Sequence, residues 1–285
     1  MSFQIRSTER VTDAVRRVVG EQLAKALKVA RDAGRPAAQR IHEVRLHLKR
    51  ARALVRLVEG EVGRSARHDR RRLGEVGRIV ARQRDRAAEE QALSRLSRPS
   101  GRAGTVAAPG DLARSSSLED DELALRRIAL GLARVRRGVC RWKVRRGRCA
   151  VRDGVRRSYA RARRAQLRAR EDDRDATLHG WRKRVKELNY QLEWLGRAAP
   201  AVHRALGPRL RRLGRLLGEL HDLAGLRARI EGLRPGSGRA YHRGPLLATR
   251  GPLLAMIDAR AKILRTEARA LGAQTFEPRP ADVGA

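Results

Sequence analysis

Residues 41–59 read Ile-His-Glu-Val-Arg-Leu-His-Leu-Lys-Arg-Ala-Arg-Ala-Leu-Val-Arg-Leu-Val-Glu. At about 100° per residue, His42, Arg45, Lys49, Arg52 and Arg56 fall in one arc roughly 80° wide. Ile41, Val44, Leu48, Ala51, Val55 and Val58 form a broad apolar face on one flank of that arc. Leu46, Ala53 and Leu57 form a narrower apolar strip on the other. Apolar strips on both flanks seek packing partners, so the cationic row is expected to line a groove or channel between packed helices. The competing reading is an ordinary solvated face with snorkelling arginines.

A second copy favours the groove. Residues 178–195 read Leu-His-Gly-Trp-Arg-Lys-Arg-Val-Lys-Glu-Leu-Asn-Tyr-Gln-Leu-Glu-Trp-Leu. His179, Arg182 and Lys186 repeat the spacing of His42, Arg45 and Lys49 at a constant displacement (179 − 42 = 137). The apolar face recurs as Leu178, Trp181, Val185, Leu188, Leu192 and Leu195. Downstream, Arg84-Asp85 and His221-Asp222 stand equally far behind their histidines (85 − 42 = 43 and 222 − 179 = 43). Around them Leu73, Val76, Gly77 and Val80 match Leu210, Leu213, Gly214 and Leu217. A repeat of this kind is an internal duplication.

On these residues, His-x-x-Arg-x-x-x-Lys in each half with a downstream Arg-Asp or His-Asp pair, the chain resembles the CHAD family, the conserved histidine α-helical domain, over nearly its whole length. The resemblance implies an all-α fold of two pseudo-symmetric four-helix bundle halves. It also implies a basic central channel that binds inorganic polyphosphate, often at polyphosphate granules. The expected phosphate contacts are Arg45, Lys49, Arg52 and Arg56 in the first half and Arg182, Lys183 and Lys186 in the second. Arg78, Arg82, Arg215 and His221 join them from the downstream helices. Arg50 lies off the stripe, and its inclusion rests on the family pattern. Glu187, Asn189 and Glu193 stand where Arg50, Arg52 and Arg56 stand in the first copy, so the second row is the less cationic.

His42 and His179 each lead a cationic row, which favours phosphate contact over core packing. Asp85 and Asp222 have no companion carboxylates or metal-spaced cluster. They are read as supporting residues that orient a neighbouring arginine or histidine, not as catalytic acids. No metal ligand set and no cofactor motif is expected. A phosphohydrolase is the least favoured class: there is no Gly-x-x-x-x-Gly-Lys-(Ser/Thr) phosphate loop. Glu59-Gly-Glu61 lacks the lysine of the Glu-x-Glu-x-Lys motif that marks the triphosphate-tunnel domain of some CHAD relatives.

Bulk composition points the same way. The formal net charge is +36, an excess that repels itself in a compact fold and calls for a polyanion. Arginine supplies most of it, and its planar fork suits phosphate oxygens, although base bias in the genome can also enrich arginine. Aromatic residues are only 3% of the chain, too few for the stacking platforms of single-stranded nucleic-acid binders. A general polyanion or nucleic-acid backbone binder remains the alternative, through counterion release. Cys140 and Cys149 are read as free thiols of a reducing compartment. With no apolar signal core and no run of membrane-spanning length, the expected location is the cytoplasm.

Along the chain, a first helix is expected from about Thr8 to Ala33. The region 98–117, rich in Pro, Gly and Ser, reads as a flexible loop, with Ser117 capping a fourth helix. A very basic fifth helix is expected from about Arg141, and Pro208 is expected to open the stretch carrying Arg211 to Asp222. The whole is taken as a single domain with halves at residues 1–138 and 139–275 and a disordered tail at 276–285.

Overall fold

The long motif helix packs against the helices before and after it in the chain. In the computed structural model it is α2 (Ala37–Val62). Residues 3–6, 8–96, 110–232 and 250–278 are described, the side chains of residues 84–96, 110–118, 197 and 229 excepted. Among the described residues, eight α-helices and one short 3₁₀ turn make up the regular structure, and the fold is all-α. None of these helices is long and apolar enough to cross a membrane. Contacts divide the chain into two units, residues 1–154 and 155–285.

In the first unit α2 lies between α1 (Val11–Arg31) and α3 (Arg64–Leu96), and α4 (Gly110–Val139) packs on both α1 and α3. The apolar face of α2 is buried as its pattern demands: Val44, Ala51, Val55 and Val58 are fully inaccessible. Each of the three valines contributes about 1.5–3 kcal/mol relative to exposure. Gly63, at φ 75°, ends α2 in a conformation open to glycine, and α3 starts at the next residue. Arg40 is buried at the start of α2, where it donates to Ala30 O at 2.6 Å and pairs with Glu122 of α4. The pattern did not single it out, because its partners come from other helices.

Residues 140–147 form a strap across α1 and α3, so the fifth helix begins at Arg148 and not near Arg141. Trp142 is buried and its indole N–H donates to Asp69 Oδ2 at 3.0 Å. Thr12 and Val144 exchange two hydrogen bonds through Thr12 Oγ1, at 3.0 and 3.2 Å. Anchors of this kind win over local helix propensity. Burial pushes the Asp69 carboxyl up, against the lowering effect of the Trp142 hydrogen bond.

The helix α5 (Arg148–Glu171) contains the division between units, which falls after Gly154. The cause is local. A Cβ on Gly154 would lie 2.0 Å from Leu57 O, so the first turns of α5 sit directly on the backbone of α2. Three further expectations change at helix ends. The first helix starts at Val11, after Arg10, with no side-chain cap. The fourth starts at Gly110, so residues 110–117 are helical; residues 98–109 lie outside the described residues.

The second unit joins the rest of α5 to α6 (Asp175–Leu195), α7 (Pro200–Glu231) and α8 (Arg250–Thr275). The third change falls in α7, which runs through Pro208 and opens instead at Pro200, a favourable place for proline. It packs on both α6 and α8. Arg161 of α5 reaches Glu187 of α6 at 3.3 Å, and Tyr159 donates to Thr275 O at 3.1 Å. Residues 276–278, expected to be disordered, are packed: Phe276 is buried, its ring 5.3 Å from that of Tyr159. The Tyr159 hydroxyl also contacts Pro278 O at 3.0 Å. Residues 279–285 lie outside the described residues. In α8, Ile257 and Leu264 are buried, whereas Leu253 and Ile263 are exposed.

Candidate anion-binding site

Along α2 the cationic row runs between buried strips. His42 and Arg52 are exposed, and Arg45, Lys49 and Arg56 are half-buried. On the narrow flank Ala53 and Leu57 are buried, while Leu46 is 39% exposed. Exposed and half-buried positions therefore alternate along the row. Arg52 lies on the neighbouring helix: its Nη1 is 3.0 Å from where a Cβ on Gly77 of α3 would be. A side chain there would displace the guanidinium, so Gly77 holds the space that Arg52 occupies. Arg78 and Arg82 of α3 are exposed, with no hydrogen bond or ion pair among the described residues. They add positive charge beside the row. Arg50, as its off-stripe position foretells, turns elsewhere, with its guanidinium 5.1 Å from the ring centre of Phe3. The side chains of Arg84 and Asp85 lie outside the described residues.

The second unit gathers its candidates more tightly. The rings of His179 on α6 and His221 on α7 stand 4.5 Å apart at an interplanar angle of 35°. Arg182, one turn after His179, places Nε and Nη2 3.9 and 4.0 Å from the Cβ position of Gly218, one turn before His221. Two imidazoles and a guanidinium thus converge at the α6–α7 seam. A small residue on the facing helix accommodates an arginine in both units, Gly77 for Arg52 and Gly218 for Arg182. Lys183 and Arg215 are exposed and Lys186 is half-buried.

Where the second copy departs from the first, the structure gives the departure a role. Glu187, standing where Arg50 stands, binds Arg184 at 3.0 Å and Arg161 at 3.3 Å. It spends its charge on helix packing. Asp222 is exposed and makes no hydrogen bond or ion pair among the described residues. The physical reason is helical phase, since His221 points to His179 and the next residue is turned about 100° away.

Among the described residues, no group of three or more His, Cys, Asp or Glu side chains could hold a metal ion. Cys140 and Cys149 are free and exposed. Sequence reading passed over His47, whose Nδ1 lies 2.8 Å from Gln22 Oε1. Burial, followed by the charges of Arg50 and Lys25, lowers its pKa. It is part of the α1–α2 packing and not of the row.

Compared with known proteins, residues 14–231 match the family model described as CHAD domain. The chain also resembles the crystal structure of the CHAD domain from the plant Ricinus communis, with a TM-score of 0.58 and 14% sequence identity. That match covers 98% of this chain and 96% of the plant chain, and at this identity it speaks for the fold alone. No curated protein matches the chain.

Proposed function

This chain belongs to the CHAD domain family, and on that premise we propose that it binds inorganic polyphosphate without acting on it chemically. The observation that carries the reading is the α2 row: Arg45, Lys49, Arg52 and Arg56 on one stripe, bordered by buried apolar residues on both flanks. A repeating phosphate chain offers oxygens at short, regular intervals and no bases. Arginine forks bind such oxygens in pairs, and lysine follows them as a mobile point charge. A chain with 3% aromatic residues has little with which to read bases. The His179–His221–Arg182 cluster is the proposed contribution of the second unit, and recruitment to polyphosphate granules in the cytoplasm is the proposed consequence.

The net charge of +36 supports a second reading, in which any polyanion is held through counterion release. Competition separates the two. Long-chain polyphosphate is expected to displace labelled duplex DNA at a far lower phosphate concentration than DNA needs to displace labelled polyphosphate. The opposite ranking would assign the protein to nucleic-acid backbones. Orthophosphate release on incubation with polyphosphate, with and without Mg²⁺ or Mn²⁺, would overturn the non-enzymatic reading.

A further inference from the structure

A cleft of about 600 Å³ opens between α1 and α4 of the first unit, away from the α2 row. Its volume lies within the range that small-molecule sites occupy, about 300–1,000 Å³. Four arginines line it, Arg16, Arg17, Arg136 and Arg137, and no acidic residue does. Arg17 is already satisfied, since it pairs with Glu9 at 2.7 Å and with Glu21 at 3.5 Å. That hydrogen bond holds the Glu9 carboxyl below the usual carboxylate range. Arg16 is pinned through Nε to Trp142 O at 2.6 Å, which fixes the direction of its fork. Arg136 and Arg137 are exposed and make no side-chain hydrogen bond or ion pair among the described residues. Three arginines with no acidic partner among the described residues thus belong to the lining of one opening, which includes no counter-charge.

The rest of the lining is apolar, from Leu27, Ala133 and Val139, and includes no aromatic ring. Gly20 lies at the cleft in the middle of α1, where a Cβ would meet nothing within 4 Å. Glycine in a helix interior is unfavourable by roughly 0.5–1 kcal/mol relative to alanine. The site has room for a larger side chain here.

We propose that this cleft is a second anion site that takes a phosphate monoester with a small aliphatic body. Arg16, Arg136 and Arg137 receive the phosphate oxygens, and Leu27, Ala133 and Val139 receive the body. Three donors match the three free oxygens of a phosphate monoester better than the two of a carboxylate. The absence of an aromatic face speaks against a nucleobase.

Cys140 lines the same cleft, its thiol 3.0 Å from Arg137 O, and makes occupancy measurable. Cys149 is a second exposed thiol outside the lining and serves as an internal reference. The full chain is treated with neutral iodoacetamide, and alkylation of each cysteine is followed by peptide mass spectrometry. Inorganic phosphate, glycerol 3-phosphate and glycerol are added in separate series. Glycerol 3-phosphate at about twice its dissociation constant should slow Cys140 alkylation about threefold and leave Cys149 unchanged. Inorganic phosphate should protect more weakly, and glycerol should not protect.

Gly20→Glu places a carboxylate one turn from Arg16 in open space, so the helix should survive by circular dichroism while protection is lost. Arg136→Ala with Arg137→Ala should also lose it. Equal slowing of both cysteines, or protection that persists in folded Gly20→Glu, would overturn the proposal. Neither variant touches the α2 row, so both should bind polyphosphate like wild type. The two readings therefore fail independently.

Discussion

The ring of His179 lies 4.5 Å, centroid to centroid, from that of His221 and is tilted 35° to it, across the seam between α6 and α7. On the polyphosphate reading, this pair is where the second unit would meet a phosphate oxygen, with Arg182 as the permanent charge one turn away.

Replacing either histidine by alanine should weaken polyphosphate binding about tenfold, equivalent to about 1.4 kcal/mol. The double variant should lose less than the sum, because the rings share one contact. His221→Arg installs the residue that stands at the matching position of the first copy, Arg84, and should retain binding. Fluorescence titration at fixed salt measures all four proteins. Unchanged affinity in both single variants would remove the pair from the site.

His47 should make the fold sensitive to mild acid. Burial lowers its pKa below the ordinary value, so between that folded value and the unfolded value of 6.5 the unfolded chain binds more protons than the folded one. Its contribution to stability is thus fully present above pH 6.5 and falls as pH drops below it. Urea midpoints of wild type and His47→Gln, taken from pH 7.5 to 5, should show the wild type losing more than the variant. Parallel curves would mean that His47 titrates alike in both states.

Two glycines should respond oppositely to alanine. At Gly154 the added methyl would meet Leu57 O at 2.0 Å, whereas at Gly74 of α3 it meets nothing within 4 Å. Gly154→Ala should destabilise by about 1–3 kcal/mol or more through overpacking. Gly74→Ala should stabilise by about 0.5–1 kcal/mol through helix propensity. Chemical denaturation of the two variants checks both signs.

The central packing of the fold was legible because it is periodic. The face from Ile41 to Val58 is buried along its length, and the strip through Ala53 and Leu57 packs as the wheel requires. Trp181, Val185, Leu188 and Leu192 of the second copy are buried likewise. What escaped the sequence is held by contacts between distant residues. Residues 140–147 look helical by composition, yet Trp142 is drawn under Asp69, 73 positions away. Phe276 looks like the start of a tail, yet it meets Tyr159. The helix start at Val11 has no side-chain cap, so no cap rule could find it from Thr8. In the candidate site, spacing revealed the rows, but neither the seating of Arg52 on Gly77 nor the turn of Asp222 away from His221 is encoded locally.

The most direct test of the polyphosphate reading is a calorimetric titration of long-chain polyphosphate into three proteins at one salt concentration. These are the wild type, the row variant Arg45→Glu with Lys49→Glu, and a control carrying Arg152→Glu with Arg157→Glu on exposed positions of α5. Net charge changes equally in both variants. At about 1.4 kcal/mol per contact, the row variant should bind about 100-fold more weakly than wild type while keeping its helicity. The control should stay within about threefold, in line with loss of long-range attraction alone. Equal losses in the two variants would contradict the account, because the positive charge would then act as a diffuse cloud and not through the α2 row.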